Sequence, residues 1–205
     1  MSSDRYRALC QRIEKMDDWK AAALCAVSAS KVVPVIARLG LPDTWRLVEE
    51  CLEYVWGSLG QSSNNEEGLR LAEALESTPE WQCEDNSFLP FAVTETLDFV
   101  KLAVLAVAVP SSAKENAKGA LDALVGIASS YDASAKKFPA YETTKASNVR
   151  LQASEEESQE RLMKMLESAH SASRQTIAAL RQEAKDIAEL FRLLLPLVCY
   201  DYVSS

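Results

Sequence analysis

Enzymes draw their nucleophiles, proton carriers and metal ligands mostly from histidine, cysteine and carboxylates, and this chain supplies them unevenly. Histidine occurs once, as His170. That rules out a zinc site built on several imidazoles, and it makes any Ser-His-Asp or Cys-His arrangement depend on one side chain. Glu167 stands three residues before it, a Glu-x-x-His pair of the kind that di-iron bundles carry on two helices. With one histidine the second copy cannot exist, and the pair reads as polar residues on a solvated helix face.

Carboxylates are plentiful and cluster at Asp17-Asp18, at Glu49-Glu50-Glu53 and at Glu155-Glu156-Glu157-Glu160. Paired acids do proton-transfer chemistry only in a cleft that shifts their pKa values. On helices such clusters serve as solvated faces or as first-turn residues favoured by the helix dipole, and that is the reading taken for Glu155–Glu160. The six glycines match no dinucleotide fingerprint, phosphate loop or nucleophile elbow. Gly119 and Gly126 fall inside a helical pattern, where close packing against a neighbour is the expected reason. The sequence therefore predicts no catalytic, cofactor-binding or metal-binding residue and no enzyme. Its candidate site is a partner surface made of Glu49, Glu50 and Glu53, with Trp81 as an exposed aromatic anchor.

Composition points the same way. The 205 residues are 48% hydrophobic, enough for one substantial core, and one domain over 1–205 is expected. The net charge of −8 and pI near 4.9 argue against nucleic acid, whose phosphates need a concentrated basic surface. A basic protein is the natural partner. Cys10, Cys25, Cys51, Cys83 and Cys199 are scattered and odd in number, as for buried free thiols in a reducing compartment. Met1–Lys20 is of mixed charge, unlike a secretory leader. Phe88–Val109, the longest candidate membrane span, is interrupted by Thr94, Glu95, Thr96, Asp98 and Lys101. No membrane partner and a cytoplasmic location are the expectations.

The elements that must position these residues are helices throughout. Trp45, Val48, Leu52, Val55, Trp56 and Leu59 repeat at helical spacing, opened by Pro42 and closed by Gly60. Trp19–Leu39 is apolar on most sides, as for an enclosed helix, with a kink or break expected at Pro34. Ser63 with Glu66, Ser112 with Glu115 and Ser154 with Glu157 have the spacing of capping boxes. Phe88–Val109 is expected to be the central buried helix, with a strand over Leu102–Val109 as the alternative. Asp132–Ala153 carries Lys136, Lys137, Phe138, Tyr141, Lys145 and Arg150 without periodicity and reads as a basic loop, chiefly over 134–153. The final segment, 154–200, bears one apolar stripe from Leu162 to Leu194. It is either a single helix about 60 Å long or a hairpin broken near Ser168, Ser171 and Ser173. The predicted class is a compact all-α bundle.

The run WKAAALCAVSASKVVPVIARLGLPDTWRLVEECLEYVWGSLG, from Trp19 to Gly60, resembles the YjaG-like family of small all-helical bacterial proteins. The likeness extends through FAVTETLDFVKLAVLAVA and AKGALDALVGIASSY, to about residue 133. That family offers no enzymatic residues to carry over. In size, class and charge the chain also looks like the immunity proteins of bacterial toxin systems, which bind and occlude a cognate toxin. The resemblance implies inhibition of a cognate toxin; the charge pattern adds the expectation that a basic toxin surface is covered by the Glu49, Glu50, Glu53 face, with a helical scaffold or adaptor as the alternative.

Overall fold

The computed structural model describes residues 3–61, 65–83, 88–138 and 141–203, and every regular element among them is helical. In order these are α1 (Ser3–Glu14), α2 (Asp18–Val32), α3 (Pro34–Leu39), α4 (Pro42–Ser58), α5 (Asn65–Glu76), α6 (Phe88–Ala108), α7 (Ala113–Ala135), α8 (Leu151–Ser168) and α9 (Arg174–Val203). The periodic apolar faces meet in one core, as the all-α reading requires. Leu102–Val109 is helix up to Ala108, not strand.

The centre is α2, which packs against α4, α6, α7 and α9. Small and apolar side chains on every side of a helix let neighbours close around it. Pro34 divides α2 from α3, but Val33 between them keeps helical angles, φ −50° and ψ −32°. The chain therefore loses part of its hydrogen-bond ladder without turning away. Ser30, on the turn the proline ring crowds, bonds to the Ala26 carbonyl (2.8 Å) and accepts from the Trp56 indole (3.2 Å). Asp18–Leu39 has the length and composition of a membrane span, and 72% of its apolar window lies buried inside the bundle. That stretch, rather than Phe88–Val109, is the span candidate by hydropathy.

Helix ends depart from the sequence reading. Gly60 has φ +73° after α4, the left-handed position expected of it, and a Cβ there would also overlap that of Ala172. Ser63 lies outside the described residues. Ser112 makes no cap bond; its hydroxyl donates to the Val109 carbonyl (2.9 Å) and accepts from Asn116 Nδ2 (3.2 Å). Ser154 already sits inside α8, whose N-terminus is held instead by Asp132 of α7. The Asp132 carboxylate accepts from the backbone N–H groups of Leu151 and Gln152, each at 3.0 Å. The basic stretch is accordingly shorter than 134–153, since α7 reaches Ala135, two 3₁₀ turns occupy Tyr141–Thr143 and Lys145–Asn148, and α8 begins at Leu151.

Of the two forms for the last segment, the structure takes the hairpin. The Ser173 hydroxyl accepts the Thr176 N–H (3.1 Å) at the start of α9. The apolar stripe is shared between Leu162 and Leu166 of α8 and Leu180, Ala184, Ile187, Phe191 and Leu194 of α9, all buried. Gly119 and Gly126 are exposed, with nothing within 4 Å of an added Cβ, so close packing does not explain them.

Glu155–Glu160 is a solvated face only in part: Glu157 is exposed, whereas Glu155 is not. Glu155 is fully buried and accepts two bonds from Lys31 Nζ, at 3.0 and 2.8 Å. Burial pushes its carboxyl up, and Lys31 opposes that push. Glu156 pairs with Arg5 (2.8 Å), Glu160 with Arg12 (2.9 Å) and Glu157 with Arg161 (3.9 Å). Glu155, Glu156 and Glu160 fasten α8 to α2 and α1, because a charge leaves water cheaply only against an opposite one, whereas the Glu157 pair lies within α8 and stays exposed.

Candidate partner-binding surface

With the α8 carboxylates neutralised internally, the surplus negative charge must reside elsewhere. Residues 40–100 hold thirteen acidic side chains against two basic ones, Arg46 and Arg70, for a formal −11. The rest of the chain has seventeen acidic and twenty basic residues, or +3. The acidic stretch forms α4, α5 and α6, which pack on one another. The segment that supplies α4, α5 and the first part of α6 is thus strongly negative in sequence and the remainder nearly balanced.

The three candidate glutamates lie on the exposed side of α4, opposite the buried Val48, Cys51 and Val55. They are not equivalent. Arg70 of α5 bonds Glu50 (2.6 Å) and Glu67 (2.7 Å), joining the two helices and holding the Glu67 carboxyl below the usual range. Glu49 and Glu53, one helical turn apart, have no ion pair among the described residues and remain open to a partner.

Trp81 is not the exposed anchor that the sequence suggested. Its ring is half-buried on the core, with Lys101 Nζ 5.0 Å from the centroid, and Lys101 is also paired with Glu76. The neighbouring Glu80 carboxylate accepts the Leu41 N–H and the Thr44 hydroxyl, both at 2.7 Å, which ties this segment to the start of α4. Among the described residues, the aromatic ring that faces solvent is Phe91 of α6, 48% exposed. Glu95, one turn further on, and Asp98 complete a stripe that periodicity did not single out. Burial raises the carboxyl of each; like charge from Asp98 adds to it at Glu95, and Lys101 opposes it at Asp98.

The remaining chemistry-bearing residues do not converge. His170 is exposed in the α8–α9 turn, while Glu167 is engaged by Arg12 (2.7 Å), so the Glu-x-x-His pair does not share a helix face. Among the described residues no three His, Cys, Asp or Glu side chains cluster as metal ligands would. All five cysteines are unpaired. Cys25 and Cys51 are buried, and burial pushes the Cys51 thiol up to about 12. Cys83, by contrast, is exposed. Lys136, Lys137, Phe138, Tyr141 and Arg150 border a concavity of about 850 Å³ beyond α7, where Arg150 donates to the Ser147 and Val149 carbonyls (2.7 and 2.9 Å).

Comparison with protein-family models, with curated proteins and with solved structures finds no match to this chain.

Proposed function

We propose that this protein is a non-catalytic, immunity-like binding protein that occludes a basic partner, such as a cognate toxin, with the acidic surface of α4–α6. The observation that carries the reading is the segregation of charge: −11 over residues 40–100 against +3 elsewhere. A surface of one sign speeds encounter with a partner of the other and rejects wrong partners, and exposed carboxylates without internal counter-ions act most strongly in this way. Glu49 and Glu53 are such groups. Glu50 serves the α4–α5 bridge instead, and Trp81 serves the core.

The test is kinetic and functional. A basic partner recovered from the native host is titrated against the purified protein, and association is followed at rising salt. Reversing Glu49 and Glu53 to Lys should slow association by about tenfold or more at low salt with helix content unchanged, because exposed charges act mainly on the on-rate. Co-expression should relieve the partner's toxicity, and the reversed variant should protect less well. An on-rate indifferent to both salt and reversal would remove the acidic surface from the account. Tight binding without relief of toxicity would favour the adaptor alternative.

A further inference from the structure

Within this acidic surface, α6 and α7 enclose a shallow groove of about 220 Å³, lined by Phe91, Ala92 and Glu95 on one side and Ala123, Gly126 and Ile127 on the other. Ligand pockets for small molecules start at about 300 Å³. This one has room for a single large side chain. We propose that it takes an arginine presented by the basic partner; the proposal rests on the function just given and names its anchor point.

Three features select arginine. First, Ala92, Ala123 and Ile127 make an apolar floor against which a long aliphatic stem packs while its charged head stays at the rim. Second, Phe91 exposes its ring one helical turn from Glu95, and a guanidinium stacks on an aromatic face while presenting a planar fork to a carboxylate. Third, the Glu95 carboxylate is already partly stripped of water and has no hydrogen bond or ion pair among the described residues. A cation arriving there supplies the missing partner. Lysine, more strongly hydrated and unable to stack, fits less well. Asp98 lies on the same side of α6 and adds to the attraction, whereas the nearby Lys101 is taken up by Glu76 and Trp81. Gly126 lines the groove with open space where its side chain would be, so a bulky replacement there competes with the arginine.

Two glycines of α7 allow a controlled test. Gly119 and Gly126 are both exposed with open space around an added Cβ, so leucine is accommodated at either, but only Gly126 lines the groove. The probe is a short amphipathic alanine–leucine helix carrying one central arginine, with lysine or glutamate in its place as comparators. Binding is read from backbone amide shifts in NMR titrations at low salt. The arginine peptide should move the Gly126 and Ile127 amides saturably. Gly126→Leu and Glu95→Gln should each weaken it about tenfold, the loss typical of one anchor contact, while Gly119→Leu should leave it within about twofold. The lysine peptide should bind more weakly and the glutamate peptide not at all. Equal effects of the two leucines, shifts confined to α4, or no binding would overturn the arginine groove. Retained sensitivity of the partner's on-rate to Glu49 and Glu53 would in that event leave the acidic-surface function standing. Shifts at Gly126 that track protein concentration without peptide would assign the groove to a second copy of this chain and overturn the proposal.

Discussion

Lys31 and Glu155, 124 residues apart in sequence, meet as an ion pair with neither side chain reaching water. The pair fixes how α8 lies on α2, at the cost of dehydrating two charges. Glu155→Ala should destabilise the protein by about 3–5 kcal/mol in chemical denaturation, because it strands a buried ammonium. The double replacement Lys31→Met with Glu155→Leu should recover most of that loss or exceed wild-type stability, since apolar side chains of similar size need no dehydration of charge. A double variant no better than Glu155→Ala would show that the pair contributes more than it costs.

Opposite outcomes are expected for alanine at two kinds of glycine. Gly60 holds φ +73° against Ala172, so Gly60→Ala should cost at least about 1–2 kcal/mol. Gly119 is an exposed helical residue with free space around it, and Gly119→Ala should gain about 0.5–1 kcal/mol. Thermal unfolding of the two variants beside wild type measures both.

Stability should respond to pH in two senses. The Glu95 and Asp98 carboxyls are raised, by burial first and then by like charge, with Lys101 opposing at Asp98. The folded state therefore holds their protons more tightly than the unfolded chain does, and their effect on stability worsens as pH rises above the ordinary carboxyl range near 4.5. Glu95→Gln should melt higher than wild type at neutral pH and lose that advantage in acid. Glu167, held low by its hydrogen bond to Arg12, behaves the other way. Its contribution is present above the ordinary range and lost as pH falls through its depressed pKa, so Glu167→Gln should melt lower at neutral pH and match wild type in strong acid. Melting curves from neutral to strongly acidic pH separate the two signs.

The helices were legible because burial imposes a period on apolar residues: Val48, Val55, Trp56 and Leu59 all reach the core as their spacing requires. The exposure of Glu49 and Glu53 followed from the same pattern. What escaped was decided by partners distant in sequence. Nothing near Glu155 announces Lys31, and nothing near Trp81 announces that Lys101 will lie over it. Asp132 carries no signature of the helix it caps, since a capping carboxylate from another helix obeys no fixed spacing. Phe91 and Glu95 sit in an apolar run whose one solvent-facing edge becomes distinct only when α2, α4, α5 and α7 cover the rest.

The same Asp132 closes a ring. With its carboxylate on the first N–H groups of α8, the chain between α7 and α8 is pinned at both ends independently of its own contents. Lengthening a loop whose ends are held costs little, about 0.6 kcal/mol for each doubling. The turns at Tyr141–Thr143 and Lys145–Asn148 therefore make a natural handle. A reporter domain or an immobilisation tag grafted there would hang from the bundle by an already anchored tether, leaving α4–α6 unencumbered for whatever they grip.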